Sequence, residues 1–355
     1  MSDNLQNNTF FSQVVDLIQQ SKQQVVRTIN QTMVYTYFEI GRMIVEDEQN
    51  GKERAAYGKQ TLKALSNKLI QEFGKGFSVE NLQNMKRFYQ VYSISQTLST
   101  NLNTDKNTIL IPNSMTRTFK LGWSNYCLLM RIDDSKERDF YEIEASKNNW
   151  SVRQLQRQYD SGLYTRLVLS RDKEAVLQLS QKGLIIEKPK DIIKDPYILE
   201  FLGLPELNTY SESELEEEII NKLEHFLLEL GNGFTFVARQ KRITFDDKHF
   251  RIDLVFYNRI LKCFVLIDLK IGDLKHQDLG QMQMYVNYYD REMRLEEENR
   301  TIGIVLCQNK SVSVVEYTLP ENNEHIFASK YKTILPSEAE LKHLMENKHS
   351  KFDSI

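Results

Sequence analysis

The chain has 355 residues, 41% of them hydrophobic, with 46 Lys+Arg against 49 Asp+Glu and three cysteines. That length exceeds what one hydrophobic core usually fills, so two domains are expected. Cys127, Cys263 and Cys307 stand too far apart in sequence to suggest a disulfide framework or a zinc knuckle. A polar, acidic start and the lack of a long apolar run argue against a signal peptide and a membrane span, so a soluble, cytoplasmic protein with no membrane partner is expected.

Charge is unevenly placed. Residues 1–166 carry 21 Lys+Arg and 17 Asp+Glu, and the rest carry 25 and 32, so the two parts differ in sign. All six histidines fall at or after position 225, which leaves the first part without an imidazole for acid-base work and suits it to binding.

From residue 10 to 95 apolar positions recur at three and four, as in TMVYTYFEIGRMIV and TLKALSNKLIQEF, and predict helices. Gly74-Lys75-Gly76 ends one helix and Ser78 caps the next, which is helix-turn-helix spacing. The Asn/Thr/Ser-rich stretch 95–118 reads as a loop. In a second such unit one helix closes at Asn148-Asn149 and Ser151 caps the next. Val152, Leu155 and Tyr159 mark that helix's buried side, and Arg153, Gln154, Arg157 and Gln158 face out as candidate nucleic-acid contacts. A solvated helix or a protein interface stays open there, since Arg and Gln are also good surface helix formers.

Residues 167–210 hold three of the six prolines and read as a linker between a helical domain, 1–166, and a mixed domain, 211–355. The latter has the predicted order αβββαβ: a long helix ESELEEEIINKLEHFLLELG, strands FTFVARQKRITF, FRIDLVFYN and LKCFVLIDLK, a helix near 276–293, and the strand TIGIVLC. On a helical wheel Leu215, Ile219, Leu223, Phe226, Leu227 and Leu230 form one stripe. Glu216 falls inside it, and Glu217, Glu218 and Glu229 fall outside as solvated acids should.

The run FVLIDLKI puts Asp268 and Lys270 two apart, on one face of an otherwise apolar strand. Charges in such a strand need partners or a metal, although pairing at a frayed strand end stays open. Asp253 stands in the same predicament on the preceding strand, and a turn at Asn258-Arg259 can bring the two carboxylates side by side. Like charges held that close call for a divalent cation, with Mg²⁺ the expected ion and Mn²⁺ the other one such an oxygen site accepts. Lys270 is then placed to stabilise transition-state charge or to position water. Gln281 and Tyr285, i and i+4 on the next helix, share a face.

Asp253, then Asp268-Leu269-Lys270, then a helix with Gln281 resembles the PD-(D/E)xK nuclease superfamily. YFEIGRMI, FSVENLQNMKRFY, WSVRQLQRQ and FLLELGNGFTFVARQ with IDLVFYNRILKCFVLIDLK extend the likeness to the bacterial YhcG-type family over nearly the whole chain. The resemblance implies a winged-helix-like first domain and a restriction-endonuclease-like second one, with Asp253, Asp268 and Lys270 at the motif positions. The chain departs from the motif in having Ile252 where a proline precedes the first acid, and an Asp where many relatives have Glu. The implied activity is Mg²⁺-dependent hydrolysis of nucleic acid, DNA being the expected substrate. Catalysis would fall to Asp253, Asp268, Lys270, Gln281 and Glu216, and metal binding to Asp253, Asp268 and Glu216. A homodimer, or a partner protein of defence or repair, is compatible with this. A catalytically silent DNA-binding or adaptor protein on the same fold is the competing reading.

Overall fold

The computed structural model describes residues 2–50, 55–93, 118–169, 173–205, 210–337 and 339–340. The chain divides into the units Met1–Leu155 and Gln156–Ile355, so the border lies before residue 166, where the sequence placed it.

In the first unit the expected helices form as α1 (Ser2–Asn50), α2 (Ala55–Phe73) and α3 (Val79–Ser93), followed by α4 (Trp123–Leu129) and α5 (Ser135–Lys147). Ser78 caps α3, its hydroxyl accepting from Asn81 N at 3.2 Å. Phe38, Phe88, Phe119 and Tyr126 stack edge-on or tilted in the core, with Phe88 and Phe119 centroids 4.9 Å apart. The loop expected at 95–118 lies almost wholly outside the described residues. Among the described residues of this unit there is no strand, so a wing is not part of what is seen.

Gly41 sits where α1 crosses α3. A Cβ there would fall 2.1 Å from the Met85 carbonyl oxygen, so the helices meet backbone to backbone. Gly41→Ala must push them apart, and we expect a loss of at least about 2 kcal/mol, read as a lower melting temperature. An unchanged melt would mean that the crossing opens at no cost.

Helix α6 (Val152–Asp160) spans the border and is followed by α7 (Leu163–Leu169) and α8 (Lys173–Lys182). Residues 167–210 are no linker. Strand β1 (Tyr197–Ile198) belongs to the six-stranded sheet, and Ile192, Tyr197, Leu199 and Leu202 sit in that sheet's core. Composition misled here because prolines and lysines at turns disguise a short apolar strand whose partner is remote in sequence.

The second unit continues with α9 (Glu212–Asn221), α10 (Leu223–Leu230), β2 (Phe234–Phe245), β3 (Lys248–Asn258), β4 (Cys263–Asp273), α11 (His276–Tyr288), β5 (Ile302–Asn309), α12 (Val312–Thr318) and β6 (Ile326–Lys332). The sheet order is β1-β6-β5-β4-β3-β2. Strands β2, β3 and β4 are antiparallel neighbours, and β4, β5, β6 and β1 run parallel. Cys263, Val265, Ile267 and Leu269 of β4 face the core that α9 and α10 cover. Leu266 faces the core under α11, with Leu279, Met282 and Val286. Such burial on both faces is why β4 is a continuous apolar run.

The long helix expected at 212–230 is two helices, broken at Lys222, where φ is −119°. The break rotates the second segment and overturns the expectation that Glu229 is solvated: it is fully buried. Its Oε1 lies 2.5 Å from Arg166 Nη1 and accepts from Ile198 N at 3.0 Å. Arg166 also donates to the carbonyls of Ser161 and Pro196. Burial pushes the Glu229 carboxyl up, but Arg166 and Lys194 outweigh it and hold the pKa at about 2.

Candidate active site

Strands β3 and β4 pair only from Leu254↔Ile267 to Asn258↔Cys263, and before Leu254 they part. The candidate site lies in that fork. The Leu269 N–H, left without a β3 carbonyl, donates instead to Asp253 Oδ2 at 2.8 Å. Asp253 Oδ1 accepts from Gln240 Nε2 at 3.1 Å, and the same amide donates to Glu216 Oε2, so one glutamine ties β2, β3 and α9 together. Gln240 takes a left-handed φ of 46°, beyond the register shift that follows Phe236.

Asp268 and Lys270 meet on one face of β4, with Lys270 Nζ 3.0 Å from Asp268 Oδ2. Asp268 is 2% exposed, and its Oδ2 has the Lys270 ammonium as its charged partner. Burial, then the Asp253 charge, push its pKa up to about 7 despite Lys270. Burial also raises Asp253 and Glu216 above the ordinary carboxylate range. For Lys270 burial alone would lower the pKa, but Asp268 and Glu212 hold it above its usual value. The two carboxylates thus favour the charged ammonium.

Two residues here escaped the sequence reading. Glu212, at the start of α9, accepts from Lys270 Nζ at 3.5 Å and from Ile271 N at 3.3 Å, holding the lysine over the fork. Gln240 is the other. Neither gives a local signal, since each acquires its partner only when β2, β4 and α9 meet. Gln281 donates to the Tyr285 hydroxyl, which donates to the Arg251 carbonyl at 2.9 Å; Tyr285 itself is buried in the α11 core.

Buried carboxylates with raised pKa and a donor set made of oxygen alone fit a hard divalent cation. Asp253 and Asp268 could hold one, with Glu216 one glutamine away. Among the described residues no group of three or more His, Cys, Asp or Glu forms a metal cage, so most of the coordination shell would come from water and substrate.

The candidate nucleic-acid residues divide. Arg153 and Gln154 are exposed, although Gln154 Oε1 is engaged by Ser151 N at 2.8 Å. The outward face expected for Arg157 and Gln158 is not found. Arg157 donates to Glu200 at 2.8 Å and to the Ile198 carbonyl, and Gln158, 1% exposed, donates to the Leu228 carbonyl. This half of α6 serves the buried network around Glu229, while Val152, expected inside, is exposed.

The mixed sheet of the second unit belongs to a nuclease domain of the PDDEXK type. The profile described as "YhcG PDDEXK nuclease domain" matches residues 190–346, and "DUF1016 N-terminal domain" matches residues 13–166. The chain is 41% identical over 345 residues to the Escherichia coli (strain K12) protein described as "Putative nuclease YhcG", covering 92% of this chain and 90% of the relative. It belongs to the YhcG family. Among solved structures, the "crystal structure of a repair endonuclease from Pyrococcus abyssi" overlaps 38% of this chain and 50% of that one, at 19% identity and a TM-score of 0.25. The "Structure of EndoMS-dsDNA2 complex" overlaps 37% and 49%, at 17% identity and a TM-score of 0.27. Overlaps that partial carry no argument. Among the described residues no helix is long and apolar enough to cross a membrane.

Proposed function

We propose that this nuclease is an endonuclease that hydrolyses phosphodiester bonds of DNA with Mg²⁺ or Mn²⁺ held by Asp253 and Asp268, and that its N-terminal part targets it. The observation that carries this reading is the buried Asp268 carboxylate, pressed by Asp253 and balanced only by Lys270. A bound cation would polarise the phosphoryl oxygen and lower the pKa of a coordinated water. Lys270, anchored by Glu212 and Asp268, holds its charge where negative charge grows on the phosphoryl oxygens, and its N–H groups orient the attacking water. Asp253 is fixed by the Leu269 amide and Gln240, which keeps its carboxylate aimed along the fork. Glu216, joined through Gln240, is a third acid that can accept a proton or complete the coordination shell. Gln281 and Tyr285 close the α11 side. Arg153 and Gln154 are the exposed candidates for contact with DNA outside the site.

The purified protein should be incubated with supercoiled plasmid, linear duplex, single-stranded DNA and RNA, each with Mg²⁺, Mn²⁺ or EDTA. We expect nicking or linearisation of DNA with either cation and none with EDTA. Lys270→Ala should keep cation affinity and lose turnover by a factor of about a hundred or more. Cleavage that survives EDTA, or no cleavage under any condition, would refute the assignment.

A further inference from the structure

The fork has a second product. Because β3 leaves β4 at Leu254 but stays paired with β2 as far as Phe245↔Lys248, the chain beyond the site is a two-stranded ribbon. One face of it is apolar and seated: Ile243 and Ile252 are buried in the α11 core, and Phe245 packs on Phe250 and Tyr288. The Tyr285 hydroxyl also pins it through the Arg251 carbonyl. The ribbon is therefore a platform fixed to the catalytic sheet.

Its other face is basic. Arg242 stands directly opposite Arg251 and Thr244 opposite His249, all four exposed, while Lys241 and Lys248, opposite Ile252 and Phe245, edge the apolar face. Like charges directly across a ladder destabilise it, so packing alone would favour a carboxylate at one of the two arginine positions. Among the described residues, polar side-chain contacts along this face are Arg242 with His249 at 2.6 Å, Thr244 with His249 at 3.0 Å, and Arg239 with Glu216 at 3.8 Å. None brings a carboxylate to Arg242 or Arg251. The ribbon's own acids, Asp246 and Asp247, occupy the turn at its tip, both with positive φ. Between tip and site the basic row runs by way of Arg239 to Glu216, which shares Gln240 with Asp253.

We propose that the β2–β3 ribbon grips the phosphodiester backbone of the nucleic acid beside the scissile bond, with Arg242 and Arg251 as paired phosphate ligands. Guanidinium forks match phosphate oxygens two at a time, and a bound phosphate relieves the repulsion between the two arginines. The surface reads backbone and not base, so it sets how strongly DNA is held next to the fork and leaves sequence preference to other parts of the chain. The inference rests on the reading of the fork as a site for DNA cleavage.

The test is binding of the full-length protein to a linear duplex in EDTA, titrated across salt concentration, for the wild type, Arg242→Gln with Arg251→Gln, and Arg259→Gln with Lys262→Gln. The last pair removes the same charge from the turn at the other end of β3. For the ribbon variant we expect affinity to fall about tenfold or more at 0.1 M salt and the log-log salt slope to flatten by about 2, since each phosphate contact contributes about 0.9. Its melting temperature should hold or rise as repulsion is removed, and the control pair should bind as the wild type does. A slope unchanged in the ribbon variant, or an equal loss in the control, overturns the proposal while cleavage by the wild type stands. A wild type that neither binds nor cuts any nucleic acid overturns the functional reading itself, and this inference with it.

Discussion

Asp268→Asn is expected to abolish cleavage and at the same time to make the cation-free protein more stable. The carboxyl of Asp268 has its pKa raised from 3.8 to about 7 by burial and by Asp253, so the folded state binds its proton more tightly than the unfolded state does. A raised carboxyl costs nothing below its unfolded pKa, and it destabilises the fold progressively as pH climbs through about 4 to 7. Wild type and Asn variant should therefore melt alike near pH 4 in EDTA. At pH 8 the variant should gain on the order of 2–4 kcal/mol, several degrees for a unit of this size. Added Mg²⁺ should reverse the order, stabilising the wild type and leaving the variant unmoved. Asp253→Asn should lose cleavage as completely. Calorimetry in EDTA and in Mg²⁺ at the two pH values checks this, and an Asn variant less stable than the wild type at pH 8 would show that Asp268 serves packing and not the ion.

Arg166→Ala should bring the largest loss of stability in the chain. Arg166 is 1% exposed and donates to Glu229, to the Pro196 carbonyl, and to the Ser161 carbonyl and hydroxyl. Removing it leaves a buried carboxylate facing mainly Lys194 and Arg157, and breaking such a pair typically costs about 3–5 kcal/mol. The same reasoning bears on dissection. A fragment starting at residue 167 lacks Arg157, Gln158 and Arg166 and should melt poorly, whereas one starting at 150 keeps the network and should melt cooperatively. If the two fragments melt alike, the Glu229 network is dispensable and the border belongs nearer residue 166.

Much of the candidate site was visible in sequence for a definite reason. Asp268 and Lys270 interrupt an apolar strand, and interruption at a spacing of two survives whatever the rest of the fold does. Glu216 was visible because the wheel needs only one unbroken helix, and α9 is unbroken that far. Glu229 was misplaced by the same wheel because a break at Lys222 leaves no mark in the pattern of apolar residues. Arg157 and Gln158 look like surface residues until β1 and α10 are in place, since Glu200 and the Leu228 carbonyl lie 43 and 70 residues away along the chain. Gln240, Glu212 and the ribbon depend on where β3 parts from β4, a matter of register between strands that no single strand encodes.

The pairing of β1 with β6 also bears on the order in which this protein can be completed during synthesis. Every group at the fork lies between Glu212 and Tyr285, so the candidate site residues emerge from the ribosome together. Tyr197 pairs with Tyr331, and the Leu199 N–H finds its acceptor only at the Lys332 carbonyl. At about 5–20 residues per second, the outer strand waits on the order of ten seconds for its partner. For about the last 1–5 seconds of that interval, once β5 has been made and β6 has not, the apolar edge of β5 is uncovered, and the nascent chain is open to pairing with a neighbouring copy on the same message.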